Sequence, residues 1–139
     1  MKISPYISFN GNCEEAVLFY EKAFNIKADI TRYKDAPKEN DYQVQQGTEN
    51  LIMHAQFELN GEMIMFADMP PDFALQYGDN IAIMVEFDNI EAAKTAFEAL
   101  REGAEVNMEL QETFWSKCFG SLIDKFGIYW NISIGCPKE

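Results

Sequence analysis

Positive charge is scarce in this chain. Eleven Lys and Arg stand against 23 Asp and Glu, a formal net charge of -12. Nucleic-acid binders need a basic stripe to meet the phosphates, and no Lys/Arg cluster exists here, which argues against that class of partner. Histidine is scarcer still, with His54 alone. The three cysteines, Cys13, Cys118 and Cys136, are odd in number and lack metal-ligand spacing, so neither a disulfide framework nor a zinc motif is expected. Reduced thiols fit a cytoplasmic location. No apolar run approaches the ~20 residues that cross a bilayer. The opening Met1-Lys2-Ile3-Ser4-Pro5-Tyr6 has no secretion-signal pattern. A glycine-rich turn between a strand and a helix, as nucleotide cofactors require, is also missing.

Apolar material is plentiful. Hydrophobic residues make up 47% of 139, including 11 Phe, 6 Tyr and 2 Trp, enough for a core in a single domain spanning 1–139. Ile3 to Phe9 reads as a strand. Asn12-Cys13-Glu14-Glu15 resembles a capping box. Ala16, Phe19, Tyr20, Ala23 and Phe24 continue it at helical spacing, and Asn25 ends the helix. Lys27 to Tyr33 is a second strand. Lys34 to Asn50, with Pro37 and Gly47, is a long polar connection. Leu51 to Leu59 and Glu62 to Asp68 form a hairpin through Asn60-Gly61.

The order then repeats after a linker over 69–79. Asn80 to Phe87 reads as a strand, Asp88-Asn89-Ile90-Glu91 as a helix start, and Ala93, Ala96, Phe97 and Leu100 as its apolar stripe, with Gly103 at its end. Strands follow at Val106 to Leu110, Lys117 to Ile123 and Ile128 to Ile134, the last two joined by a tight turn at Asp124-Lys125-Phe126-Gly127. Each half therefore reads βαβββ, module one over about 1–68 and module two over about 80–139. The pattern predicts an α+β fold: a curved antiparallel sheet with helices on its outer face.

The segment Pro5-Tyr6-Ile7-Ser8-Phe9-Asn10-Gly11-Asn12-Cys13-Glu14-Glu15-Ala16, with Phe19-Tyr20, resembles the opening of PhnB-like proteins of the glyoxalase/bleomycin-resistance/dioxygenase superfamily. Met53-His54-Ala55, Gln111-Glu112-Thr113-Phe114-Trp115, Phe119-Gly120, Asp124-Lys125-Phe126-Gly127 and Trp130 extend the likeness along almost the whole chain. The resemblance implies paired βαβββ modules, the vicinal-oxygen-chelate arrangement, and commonly a homodimer. Part of this group carries a 3-demethylubiquinone-9 3-methyltransferase label, but methyl transfer is not expected without a nucleotide-cofactor turn. Superfamily enzymes place His and Glu metal ligands on the first and last strands of each module. Here those positions fall on Pro5 or Tyr6, Met65, Asn80 and Asn131, which offer almost no basic nitrogen or carboxylate. No metal and no cofactor is therefore expected.

Strand alternation puts His54, Gln56 and Glu58 on one face of their strand and Met53, Ala55, Phe57 and Leu59 on the other. His54 and Glu58 are the catalytic candidates, His54 as an acid/base group. Hydrogen bonding in a cup wall explains a lone His54 without a placed partner better than acid/base chemistry does. Trp115 is placed either to stack on a ligand or to anchor packing. Cys118 reads as a buried thiol. Cys13, in the first turn of a helix, has a possible lowered pKa but no acid/base partner. The leading reading is a metal-free protein binding an unknown small molecule in a cup lined by Tyr6, His54, Gln56, Glu58, Met65, Asn80, Trp115 and Asn131. The alternatives are a metal-assisted isomerase or dioxygenase with an altered site, and an interaction module using exposed aromatics.

Overall fold

The computed structural model describes residues 1–36, 46–59 and 61–135. Pro37, Asn60 and Cys136 of the sequence reading lie outside them. The element order is β1 (Tyr6–Phe9), α1 (Cys13–Phe24), β2 (Asp29–Arg32), β3 (Ile52–Leu59), β4 (Glu62–Asp68), β5 (Ile83–Phe87), α2 (Ile90–Leu100), β6 (Glu105–Gln111), β7 (Cys118–Ile123) and β8 (Tyr129–Ile134), with a single 3-10 turn at Tyr33–Asp35. This is βαβββ twice, an α+β fold.

Each half builds a four-stranded sheet, ordered β1-β4-β3-β2 and β5-β8-β7-β6. Both sheets are mixed. The hairpins are antiparallel as expected, but β1 pairs parallel with β4 and β5 with β8. The helix after the first strand carries the chain back over the sheet, so the first strand can only meet the last one running the same way.

Two compact units emerge: Met1–Glu21 with Ile26–Gln76, and Lys22–Asn25 with Tyr77–Glu139. In the first, Cys13, Ala16, Val17 and Tyr20 of α1 are buried. Tyr20 stacks on Phe66 of β4 at 5.7 Å between ring centroids, and Phe57 and Phe9 also contact Phe66. In the second, Ala93, Ala96, Phe97 and Leu100 are the buried stripe of α2. Phe24 there meets Trp130 at 5.2 Å. Gly120 lies so close to α2 that a Cβ would sit 2.8 Å from Phe97 Cε2.

The two helices start differently. Asn89 caps α2 as its sequence suggests, its Oδ1 accepting from Glu91 N at 2.8 Å and Ala92 N at 3.2 Å. The capping box read at Asn12 does not form: the Asn12 Oδ1 is buried without a hydrogen-bond partner. Asp68, at the end of β4, takes the role instead. Its Oδ1 accepts from Gly11 N at 2.9 Å and Cys13 N at 3.0 Å, and its Oδ2 from Ile52 N at 2.9 Å. One buried carboxylate thus joins the β1–α1 turn, the start of β3 and the end of β4. Asp124 does the same work locally in the second unit. It accepts from Phe126 N, Ile128 N and the Trp130 indole Nε1 at 2.8, 3.0 and 2.8 Å. Gly127 adopts φ 88°, as the tight turn requires.

Removing such a carboxylate strands three donors, two of them buried. Asp68→Ala is expected to lower unfolding free energy by about 3–5 kcal/mol, and Asp68→Asn by about 2, because one amide oxygen remains to accept. Urea denaturation followed by circular dichroism measures both. A loss below about 1 kcal/mol for the alanine variant would contradict the role given to Asp68.

Candidate functional site

The helix-facing aromatics decide which side chains point the other way. Phe66, Ile64, Phe57 and Ala55 share the α1 side through the pairs Ala55↔Phe66 and Phe57↔Ile64. The alternate residues therefore occupy the helix-free face: Gln56 opposite Met65, Glu58 opposite Met63, Thr31 opposite His54, and Tyr6 beside Met65. Pro5 enters the ladder through its carbonyl, which accepts from Met65 N at 3.0 Å. Tyr6, not Pro5, is then the first-strand residue on this face.

Because β4 lies between β1 and β3, the Tyr6 side chain crosses it to reach His54. The Tyr6 hydroxyl is 3.2 Å from His54 Nδ1, and His54 Nε2 is 2.9 Å from Gln56 Oε1. An amide oxygen only accepts, so Nε2 donates to it, and Nδ1 pairs with the Tyr6 hydroxyl. The outcome is a polar chain, Tyr6 to His54 to Gln56, running beside Met65. Tyr6 remains 53% exposed and open to an incoming molecule. Glu58 is exposed and two register pairs beyond Gln56, so it does not join this chain.

In the second unit the same argument applies. Trp130, Ile132 and Ile134 pair with Ile83, Val85 and Phe87 on the α2 side. Asn131 faces the other way, as read from the sequence, between Met84 and Ser121. Asn80 does not share that face. The strand begins at Ile83, Ile81 is 76% exposed, and Asn80 sits in the exposed turn before it. The apolar alternation suggested a longer strand, but no partner strand reaches that far, and Met84 is the residue registered with Asn131. Trp115 lies in the loop after β6, its ring edge-on to Phe119 at 5.4 Å and to Phe114 at 4.7 Å. Glu86 and Phe119 also lie on the helix-free face and were missed as site residues, although strand alternation carried across the register would have found them.

The thiols are not reactive groups. Cys13 and Cys118 are free and buried. Burial, reinforced by the nearby Asp68 and Glu14 carboxylates, pushes the Cys13 thiol far above its ordinary range, opposite to the lowering a helix N-terminus alone would give.

The residues also test what the fold class implies. On the helix-free face, the paired first and last strands offer Tyr6 with Met65, Met84 with Asn131 and Glu86 with Ser133. A phenol, two thioethers, an amide, a hydroxyl and a single carboxylate do not suit a divalent metal. Among the described residues no three His, Cys, Asp or Glu side chains group as ligands. A nucleotide-type methyl donor fits no better. The β1–α1 turn, where such a cofactor would rest its phosphate or carboxylate, already has two amides taken by Asp68.

Two βαβββ units, each with a parallel first and last strand and one helix-covered face, define the glyoxalase, or vicinal-oxygen-chelate, class. Residues 1–133 match the family model described as 3-demethylubiquinone-9 3-methyltransferase. Protein YjdN of Escherichia coli (strain K12) is 29% identical over 141 residues, covering 96% of this chain and 95% of that protein. Protein PA1353 from Pseudomonas aeruginosa is 30% identical with a TM-score of 0.82, over 97% of this chain and 98% of that one. A PhnB protein from Bacillus cereus is also 30% identical, with a TM-score of 0.75 over 97% and 100% of the two chains. The fosfomycin resistance protein FosX of Listeria monocytogenes, at 14% identity and a TM-score of 0.61 over 97% and 92%, shares the fold. This chain belongs to the 3-demethylubiquinone-9 3-methyltransferase family, the PhnB-like group of the glyoxalase superfamily. Among the described residues no helix is long and apolar enough to cross a membrane.

Cys13 supplies a signed prediction. Its folded-state pKa is raised, so the unfolded chain releases the thiol proton first. Stability is expected to be unaffected below pH 9.0, the thiol's ordinary pKa, and to fall as pH rises above it. Cys13→Ala should flatten that part of a stability-versus-pH curve, and native Cys13 should resist thiol-alkylating reagents near neutral pH. Rapid labelling of Cys13 in native protein, read by peptide mass spectrometry, would contradict this.

Proposed function

We propose that this protein binds a small organic molecule on the helix-free face of its first sheet, without a resident divalent metal and without transferring a methyl group. The observation that carries the reading is the Tyr6–His54–Gln56 chain. It orients one imidazole beside an exposed phenol on a surface that also carries Met63, Met65 and small or polar side chains. Binding sites need little more than an apolar surface and a few placed polar groups. A ligand hydroxyl or N–H can donate to the Tyr6 oxygen without disturbing the imidazole. The metal-assisted enzyme is the weaker reading, because the donor set described above lacks ligands and Glu58 stands apart from His54. The free, buried Cys13 and Cys118 suit a reducing compartment, so the proposal includes a cytoplasmic protein, acting as a homodimer as is common in this superfamily.

The test is an NMR titration with aromatic, glycopeptide and phosphonate compounds, reading the His54 ring signals, beside elemental analysis of protein purified without chelator. At least one compound class is expected to shift His54 saturably, and at ~100-fold excess over Kd to add about 2.7 kcal/mol of stability. Tyr6→Phe should weaken that binding, by about tenfold where the hydroxyl bonds the ligand. A full equivalent of divalent metal, methyl transfer from S-adenosylmethionine to a demethylubiquinone, or a screen with no effect on His54 would each overturn the proposal.

A further inference from the structure

The second unit carries an arrangement with no counterpart among the groups discussed above. Glu86 on β5, Ser133 on β8 and Phe119 on β7 are successive register partners. They form one row across three strands on the face away from α2, about 10 Å from end to end at the usual strand spacing. Phe119 points away from the helix because its neighbour Gly120 is the residue pressed against Phe97. The Trp115 ring extends the row beyond Phe119, 5.4 Å between centroids and at 74°.

The two ends of the row are built differently. At one end the Glu86 carboxylate lies over Gly135, where a Cβ would come within 2.7 Å of Oε1. At the other, the loop bearing Trp115 is pinned by Ser116. Its buried hydroxyl lies 3.0 Å from the Ser133 hydroxyl and 2.6 Å from the Ile134 carbonyl, and it accepts from Cys118 N at 3.1 Å. No Lys or Arg occurs in any of β5 to β8, whereas Glu86, Glu105 and Glu109 do. Glu109 is paired with Arg101, which leaves Glu86 and Glu105 as the strand charges, with Lys117 the nearest positive residue in sequence to Phe119. A cation would meet an exposed carboxylate at one end and an edge-to-face aromatic pair at the other.

We propose that this row binds a primary or quaternary amine joined by a short linker to an aromatic ring, with the cationic nitrogen at Glu86 and the ring against Phe119 and Trp115. The site belongs to the second unit and does not depend on the Tyr6–His54–Gln56 reading. The probes are phenethylamine, 2-phenylethanol and 3-phenylpropanoate, which share a ring and a short chain but are cationic, neutral and anionic. Each is titrated into the full chain while the indole N–H signal of Trp115 is followed. Phenethylamine is expected to bind at least about tenfold more tightly than 3-phenylpropanoate. Glu86→Gln should weaken phenethylamine about five- to tenfold, leaving 2-phenylethanol unchanged. Gly135→Ala, which displaces the carboxylate without removing it, should reproduce that selective loss, and both variants are checked for native circular dichroism. Equal binding of the three probes, a Trp115 signal that none of them moves, shifts confined to the first sheet, or a preference for the amine that survives Glu86→Gln would each overturn the assignment.

Discussion

Two buried carboxylates hold this fold in register. A charged oxygen removed from water is costly unless its lone pairs are filled, and Asp68 and Asp124 each fill theirs with three N–H donors. The difference lies in reach. Asp124 gathers groups within six residues, so it stabilises a turn and satisfies the indole of the fully buried Trp130. Asp68 gathers backbone from 16 and 55 residues away, so the helix start, the β3 start and the β4 end form together or not at all. Surface pairs such as Arg32 with Glu14, partly exposed, add at most about 1 kcal/mol by comparison.

Everything chemical on the first sheet follows from that register. Side chains alternate, so the choice of Phe57 and Phe66 for the helix side sends Gln56 and Met65 to the other, and Tyr6 and His54 with them. A slip of one residue would bury Gln56 against Tyr20 and expose Phe57. The helix-free faces also state a preference by charge. Arg32 is the only Lys or Arg in any described strand, and it is engaged by Glu14. The strand surfaces therefore favour neutral or cationic molecules over phosphorylated or carboxylated ones.

Much of this was legible from spacing alone. The alternation of Glu62 to Asp68 after a turn glycine gave β4 its bounds, and the run Trp130, Ile132, Ile134 put Asn131 on the correct side. Features that depend on distant partners were not legible. Nothing near Asn12 signals that its helix is capped by Asp68. Nothing near Ile81 signals that β8 stops short of it, so apolar alternation there mimicked two further strand residues and drew Asn80 into the site. The choice between Pro5 and Tyr6 needed the Pro5 carbonyl bond to Met65, and the closing of the Tyr6–His54 gap needed the strand order. Parallel pairing of β1 with β4 is a property of the path, and no local residue encodes it.

That parallel pairing has a bearing on how the chain is made. Tyr6 waits for Met65 and Met84 for Asn131, whereas each hairpin closes over a few residues. During synthesis the first strand of each half therefore emerges as an unpaired edge, apolar on one side, until the last strand of that half follows it out. Contacts of long sequence separation form slowly, and unpaired edges are where chains associate wrongly. The acidic excess accumulates late in the chain: residues 1–61 carry six Lys and Arg against nine Asp and Glu, so repulsion between nascent copies shields the open strand of the second half more than that of the first.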